Sequence, residues 1–217
     1  MSTTISGCRR SARRALCRGI APLRGPRTVL VYERLLTWTA AVYRIPQPAL
    51  SLNDTRTQSI FPQWATEIVR PEATRNSIIQ RVVTAAGRAP GGKITNVIIH
   101  CHGAPGFLQM GQGFFAQHSH LFEPWREKVG KIWIHACRVA AGEVGDEMCR
   151  AIAATTACTL LVSTYKQYNV VSMPGRPAFR YPSGVLDQFE GTVKHFGPDG
   201  SLIGAKHYAI GRNANTE

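Results

Sequence analysis

Two apolar segments in the middle of the chain each lead into a side chain that could carry out nucleophilic chemistry. Residues 94–100 are followed by His102 and Gly103, and residues 131–136 are followed by Cys137. Both segments are rich in apolar residues, and the first also in β-branched ones, which predicts buried strands. A cysteine thiol that attacks a carbonyl and a histidine that transfers its proton form a nucleophile pair.

The elements around these two segments predict how the side chains come together. Three buried strands and one amphipathic helix are expected here, the strands at residues 94–100, 131–136 and 159–164 and the helix at residues 143–154. Strands that alternate with helices are typical of a mainly parallel sheet, whose reactive groups gather at the carboxyl ends of its strands. We therefore expect His102 and Cys137 to lie at one edge of the same sheet.

Further elements are expected on both sides of this region. In chain order they are a strand at residues 28–32, a helix-like segment at 33–44, a helix at 71–86, a glycine-rich loop at 103–113, a helical segment at 114–128 broken near Pro124, and a hairpin formed by 188–196 and 201–209. Residues 45–63 are polar and turn-rich, and they carry no assignable pattern.

Taken together, the two strand-end motifs resemble those of a clan of cysteine peptidases that includes the caspases, legumains, gingipains and clostripain. In this chain the motifs are His102-Gly103 and Ala136-Cys137. With Arg138 added, the second motif is also similar to part of the caspase signature Q-A-C-[RQG]-G, whose histidine lies about 50 residues upstream.

The sequence departs from that caspase signature at three points. His135 stands in place of the glutamine, Val139 stands in place of the last glycine, and only 35 residues separate His102 from Cys137. The shorter spacing, and the sequence His-Gly-Ala-Pro-Gly that begins at His102, are more similar to bacterial caspase-like domains. The resemblance covers residues 94–164.

This resemblance implies both a fold and an activity. The fold is an α/β, caspase-like three-layer sandwich, in which a mainly parallel sheet is flanked by helices and an antiparallel hairpin lies near the C-terminus. The activity is that of a hydrolase, a cysteine endopeptidase that cleaves polypeptides through a thioacyl-enzyme and can also process its own chain. Neither a cofactor nor a metal is expected.

The same resemblance implies a role for each residue of the two motifs. Cys137 would attack as the thiolate, and His102 would protonate the leaving amine. The backbone N–H groups of Gly103 and Cys137 would bind the oxyanion of the tetrahedral intermediate. The candidates for the substrate pocket are His135, Arg138 and Thr164.

Three other classes of protein fit parts of the pattern. A caspase-like interaction or effector module would keep the fold without catalysing a reaction. A zinc site would draw on four side chains of neighbouring strands, His100, His102, His135 and Cys137. An α/β-hydrolase would use the segment beginning at His102 as its oxyanion loop, but the chain lacks the G-x-S-x-G sequence that this family requires.

The positive charge of the chain is concentrated at its N-terminus. Residues 1–28 contain seven arginines and no acidic residue, which is more than half of the net charge of +13. This composition predicts a disordered basic segment, followed by the caspase-like domain at residues 29–217. Mitochondrial transit peptides have a similar composition. The alternative is a segment that binds nucleic acid or a membrane surface through its charge, although no aromatic residue lies between the arginines to stack on bases. The rest of the chain is not expected to bind nucleic acid.

The cysteines and the hydropathy pattern predict a compartment. Six cysteines without a C-x-x-C pair indicate free thiols in a reducing environment. No stretch of 18 apolar residues is present, so no transmembrane helix is expected. We therefore expect a cytoplasmic protein, or one delivered as an effector. Cys101 should face away from His102, and Cys149 and Cys158 should lie in the core.

Overall fold

A computed structural model describes residues 42–168 and 179–210 of the chain. The described residues contain fourteen strands: β1 (Val42–Arg44), β2 (Ala49–Asp54), β3 (Ser59–Ile60), β4 (Ala65–Val69), β5 (Ile94–His100), β6 (His102–Ala104), β7 (Phe107–Gln109), β8 (Phe114–Phe115), β9 (Val129–His135), β10 (Thr159–Ser163), β11 (Phe179–Arg180), β12 (Val185–Asp187), β13 (Gly191–Phe196) and β14 (Leu202–Tyr208). The helices are α1 (Arg75–Arg88), α2 (Gly142–Thr156) and two 3-10 segments, Pro90–Gly92 and Ala116–Trp125.

Seven of these strands form one mixed sheet at the centre of the molecule. Their order is β14-β13-β10-β9-β5-β2-β4. The five strands from β4 to β10 are parallel to one another, and β13 and β14 complete the sheet in antiparallel pairing. The prediction of a mixed α/β fold, with a mainly parallel sheet and an antiparallel hairpin near the C-terminus, is therefore confirmed.

The two faces of this sheet are covered differently. Both α-helices bury their apolar sides against one face, in a core that also includes Trp125 and Phe122 of the 3-10 segment. The described part of the other face is covered by short strands and loops, with Phe61, Leu186 and Phe189 at its centre. A helical layer on this second face, which a three-layer sandwich requires, stays a prediction.

The helix expected over residues 71–86 begins four residues later than predicted. Thr74 adopts an extended backbone, and its Oγ1 accepts a hydrogen bond from the N–H of Ser77, so it caps α1. Pro71 lies in the preceding turn rather than in the first helical turn. Helix α1 then buries Ile78, Ile79 and Val82, which belong to the predicted apolar stripe.

Segments that the sequence pattern assigned wrongly, or did not assign, contain strands. Val42–Arg44 is a strand rather than the end of a helix, because it pairs antiparallel with Val185–Asp187. The unassigned residues 45–63 contain β2, a fully buried central strand. The glycine-rich loop contains β6 and β7, which form a small sheet with β8. The strand expected at residues 28–32 and the proposed boundary at residue 28 lie outside the described residues.

The predicted C-terminal hairpin is present between β13 and β14. The N–H of Gly200 donates to the carbonyl of Gly197 at 2.8 Å, and the N–H of Gly197 donates to the carbonyl of Ser201 at 2.7 Å. Gly200 has a φ of 83°, which favours glycine at this turn position. No helix among residues 42–168 and 179–210 has the length and apolar character needed to cross a bilayer.

Candidate active site

His102 and Cys137 lie at the same edge of the central sheet. Strands β5 and β9 are parallel neighbours, and their register places His100 opposite His135. His102 lies two positions after His100, and Cys137 lies two positions after His135, so each candidate residue is at the carboxyl end of its strand. His102 is exposed and Cys137 is half-buried, so both side chains can be reached from solvent.

A backbone carbonyl determines which nitrogen of His102 carries its proton. The Nε2 atom of His102 lies 3.1 Å from the carbonyl oxygen of Arg56, which follows strand β2. A carbonyl oxygen can only accept a hydrogen bond, so Nε2 is the donor. In the neutral ring Nδ1 is then without a proton, and it is the nitrogen that can accept one.

An ion pair holds the carbonyl of Arg56 in place. The guanidinium donates from Nε to Oδ1 of Asp54 at 2.7 Å and from Nη2 to Oδ2 at 2.6 Å, and the N–H of Arg56 also donates to Oδ1. Burial by itself would raise the pKa of Asp54, but the hydrogen bonds from Arg56 outweigh it and lower that pKa. The same guanidinium reaches the carbonyl of Gln109, which pairs with His102 between β6 and β7.

The thiol of Cys137 lies against the segment that follows strand β10. The N–H of Gln167 donates to Sγ of Cys137 at 3.3 Å. The next residue along, Arg138, has a φ of 57°, and its N–H donates to the carbonyl of Tyr165 at 3.0 Å. The turn after β9 therefore presents the sulfur beside a backbone donor at the edge of the sheet.

Gly103 lies in direct contact with the turn that carries Cys137. A Cβ atom at position 103 would lie 2.7 Å from Cγ2 of Val139 and 2.8 Å from the carbonyl oxygen of Cys137. Both distances are shorter than ordinary van der Waals contacts, so only glycine fits here without movement. The strand ends that carry His102 and Cys137 are thus in close contact through this position.

We expect the substitution Gly103→Ala to separate these two strand ends. The added methyl group should lower the free energy of unfolding by about 1–3 kcal/mol, the usual cost of overpacking. Gly204→Ala is the matched control, because a Cβ atom at that strand position meets nothing within 4 Å. Denaturant unfolding of the two variants measures the difference, and an equal effect of both substitutions would contradict the predicted clash.

The three candidates for the substrate pocket have different environments. His135 is buried on the strand that leads to Cys137, whereas Arg138 is exposed. Thr164 follows strand β10, and its Oγ1 donates to the carbonyl of Thr192 at 3.1 Å, which ties this side chain to β13. His135 thus lies on β9, and Thr164 lies one residue past the end of the neighbouring strand β10.

His135 forms a buried pair with His100 on the neighbouring strand. The two Nδ1 atoms are 3.3 Å apart, and Nε2 of His100 lies 2.9 Å from the hydroxyl of Ser59. Burial lowers the pKa of His100 to about 4, and burial also lowers the pKa of His135 well below the ordinary value. Both rings are therefore neutral at physiological pH.

Four polar residues at this edge of the sheet were not among the residues predicted from the sequence. Asp54 and Arg56 lie in the stretch that had no assignable pattern, and Gln167 and Glu190 lie in connecting segments. Their side chains are polar, so hydrophobic periodicity gave no signal for them. Only Asp54 could have been found from the sequence. It is the last residue of the alternating sequence Ala-Leu-Ser-Leu-Asn-Asp, a pattern that indicates a strand with a charged residue at its end.

The other cysteines of the described residues are buried, as predicted. Cys101 and Cys149 are at most 3% exposed, and burial raises the pKa of both thiols. Burial also raises the pKa of Cys158. We expect iodoacetamide at pH 7.5 to alkylate Cys137 at least about tenfold faster than these three, because thiolate character and access control the rate. Peptide mass spectrometry over time measures the rates, and equal slow labelling of all four would contradict the expectation.

The residues considered for a zinc site do not form one cluster. Within residues 42–168 and 179–210, no group of three or more histidine, cysteine or acidic side chains is placed to hold a metal ion. His100 and His135 contact each other in the core, whereas His102 lies on the surface against the carbonyl of Arg56.

These features define a mixed α/β protein with a histidine and a cysteine at neighbouring strand ends. The chain matches a protein family described as a domain of unknown function (DUF4347) over residues 55–168. The match covers more than half of the chain, so the protein belongs to this family. It includes both His102 and Cys137. No curated protein and no solved structure matches the chain.

Proposed function

We propose that this protein is a cysteine endopeptidase whose reactive pair is His102 and Cys137. The observation that carries the proposal is the hydrogen bond from Nε2 of His102 to the carbonyl of Arg56, with Cys137 at the next strand end. This bond leaves Nδ1 as the nitrogen that can take a proton. A histidine with a fixed tautomer and a half-buried thiol at neighbouring strand ends are the two groups that a thiol nucleophile mechanism needs.

The proposed reaction has two stages. Sγ of Cys137 attacks the peptide carbonyl, and its proton passes by way of His102 to the leaving amine, so that a thioester and a free amine form. Water then attacks the thioester, which releases the carboxylic acid and restores the thiol. Backbone N–H groups of Gly103 and Cys137 are the proposed donors to the oxyanion in both stages.

The substrate that this chemistry requires is a polypeptide, and the chain itself is one such substrate. The close contact of Gly103 with the Cys137 turn supports the proposed oxyanion site, because such a site needs two backbone N–H groups held at short range. Self-processing would appear as defined fragments of the purified protein that are missing from the Cys137→Ala variant.

The test is cleavage of a peptide library by the purified full chain. We expect fragments with the wild-type protein and none with Cys137→Ala. Cys149→Ala is the matched control, since that thiol is buried in helix α2 away from the strand ends. If the wild-type protein folds and cleaves neither the library nor itself, the peptidase proposal is wrong, and an interaction module without turnover takes its place.

A further inference from the structure

Cys137 is in contact with both main-chain polar groups of one residue, Gln167. The N–H of Gln167 donates to Sγ of Cys137 at 3.3 Å, and the thiol donates to the carbonyl of the same residue at 3.7 Å. A thiol has a weak S–H donor and a weak sulfur acceptor, so it can use both contacts. A thiolate has no proton to donate, so it keeps only the contact with the N–H group.

These two contacts differ in strength once the thiol ionises. A hydrogen bond to a charged acceptor is roughly twice as strong as one between neutral groups, so ionisation strengthens the bond from the N–H of Gln167. The bond that ionisation removes is the weak one from S–H to the carbonyl, which is long at 3.7 Å. The balance of the two contacts therefore favours the thiolate, the form in which a cysteine attacks.

The part of the chain that carries this N–H group has no regular secondary structure of its own. Strand β10 ends at Ser163, and residues 164–168 form neither a helix nor a strand. The side chain of Gln167 is 9% exposed and ties this segment on two sides. Its Nε2 donates to Oγ of Ser163 at 2.9 Å, and its Oε1 accepts from the N–H of Glu190 at 3.1 Å. The segment is thereby held between the end of β10 and the start of β13.

A further hydrogen bond of this amide orients the peptide group that contacts the sulfur. Nε2 of Gln167 also donates to the carbonyl oxygen of Lys166 at 3.0 Å. That carbonyl and the N–H of Gln167 belong to one planar peptide group, in which they point in opposite directions. Holding the carbonyl on one side therefore directs the N–H to the other side, where Sγ of Cys137 lies.

We propose that Gln167 is a positioning residue of the proposed peptidase, whose side-chain amide holds the N–H that stabilises the thiolate of Cys137. The inference rests on the proposed function, because it concerns the state in which Cys137 attacks the peptide carbonyl. In that step the S–H bond breaks, the proton leaves by way of His102, and the electron pair stays on the sulfur. The N–H of Gln167 donates to this charged sulfur until the thioester forms.

The test follows the alkylation of Cys137 by iodoacetamide in the full chain, with and without the Gln167 amide. Gln167→Met keeps the length of the side chain but removes the donor to Ser163 and Lys166. At pH 6.5 the variant should be alkylated about tenfold more slowly than wild type, because it loses most of a hydrogen bond to a charged group. At pH 10 nearly all accessible thiols are ionised, so the two rates should converge. Peptide mass spectrometry over time measures both rates.

Convergence at pH 10 separates this role from a merely structural one. A substitution that only loosens the segment exposes the sulfur further, so it would raise the alkylation rate at both pH values. Gln80→Met, on the exposed side of helix α1, makes the same chemical change and should leave both rates unchanged. Ser163→Ala removes a partner of the amide, so it should slow alkylation at pH 6.5 in the same direction. This second variant decides the question if Gln167→Met does not fold.

The other titratable and charged groups around the sulfur are present in all the proteins compared. They are His102 on β6, Cys101 after β5, Arg138 in the turn after β9, Glu190 before β13, and Tyr165, Lys166 and Tyr168 on the segment after β10. Since none of these residues is replaced, their own titration acts equally on wild type and variants.

The possible outcomes separate the two proposals. Equal or faster alkylation of Gln167→Met at pH 6.5 overturns the inference, as does a loss of the same size at both pH values or an equal loss in Gln80→Met. None of these results bears on the peptidase, which is judged by cleavage of the peptide library. A wild-type protein that shows the expected rates but cleaves no peptide overturns the peptidase and leaves the thiolate contact standing.

Discussion

Replacing either Cys137 or His102 by alanine should lower peptide cleavage by about three orders of magnitude or more while the fold stays intact. In the proposed reaction the thiol supplies the atom that forms the thioester and the imidazole carries its proton, so each substitution removes a group that the reaction needs. His102 is exposed and makes one hydrogen bond to a carbonyl, so its loss should cost at most about 1 kcal/mol of stability. Initial rates with a cleavable peptide, together with thermal melts, measure both effects.

The double variant is expected to be about as inactive as either single variant, because the two residues act as one unit. His120→Ala is the matched control for the histidine, since it removes another exposed imidazole from the same protein. Multiplicative losses in the double variant would show that the residues act independently. Full activity of His102→Ala would show that another group carries the proton.

Acidification from pH 7 to pH 4.5 should cost the wild-type protein about 2–3 kcal/mol that the His100→Gln variant does not lose. Burial lowers the pKa of His100 from 6.5 to about 4, so between these values the unfolded chain binds the proton and the folded chain does not. The contribution of His100 to stability is therefore complete above about pH 6.5 and is lost as the pH falls toward 4. Glutamine keeps a polar group that can reach the hydroxyl of Ser59 but does not titrate.

Comparison with the variant is necessary because other groups titrate in the opposite direction. Burial raises the pKa of Glu190 to about 7 and that of Asp187 to about 6, so their burial penalty disappears as the pH falls. Both acids are present in both proteins, so their effects cancel in the difference. Denaturant unfolding of wild type, His100→Gln and the exposed control His120→Gln gives the three pH profiles. Parallel profiles for the first two would contradict a buried, neutral His100.

The strongest elements of the fold could be predicted because burial on both faces leaves a clear mark in the sequence. Residues 94–100 form a strand with the predicted bounds, since a short run rich in β-branched residues is typical of a strand buried on both faces. Strand β2 was missed although it is equally buried, because Ser51, Asn53 and Asp54 interrupt its apolar pattern. Those polar residues bond to other side chains and loops, as Asn53 does to the N–H of Phe61, and such partners are distant in the sequence.

The candidate site was predictable only in part, for a related reason. The ends of the neighbouring strands β5 and β9 carry His102 and Cys137 at one edge of the sheet, and the order of elements along the chain was sufficient to predict this edge. The contact of Gln167 with Cys137 depends on a connecting segment that has no periodicity, and the contact joins residues 30 positions apart. Whether a polar residue in such a segment turns inward is decided by its partners in space.

The atom that orients His102 belongs to the main chain, and this has a consequence for how the site tolerates mutation. Any amino acid at position 56 still has a carbonyl oxygen, so no single replacement there removes the acceptor itself. What a replacement can remove is the restraint on that oxygen, which comes from Asp54 and the guanidinium. In the proposed peptidase, replacing Asp54 should therefore lower activity even though this acid forms no hydrogen bond with the imidazole. Asp54 would be a positioning residue and not the third member of a catalytic triad.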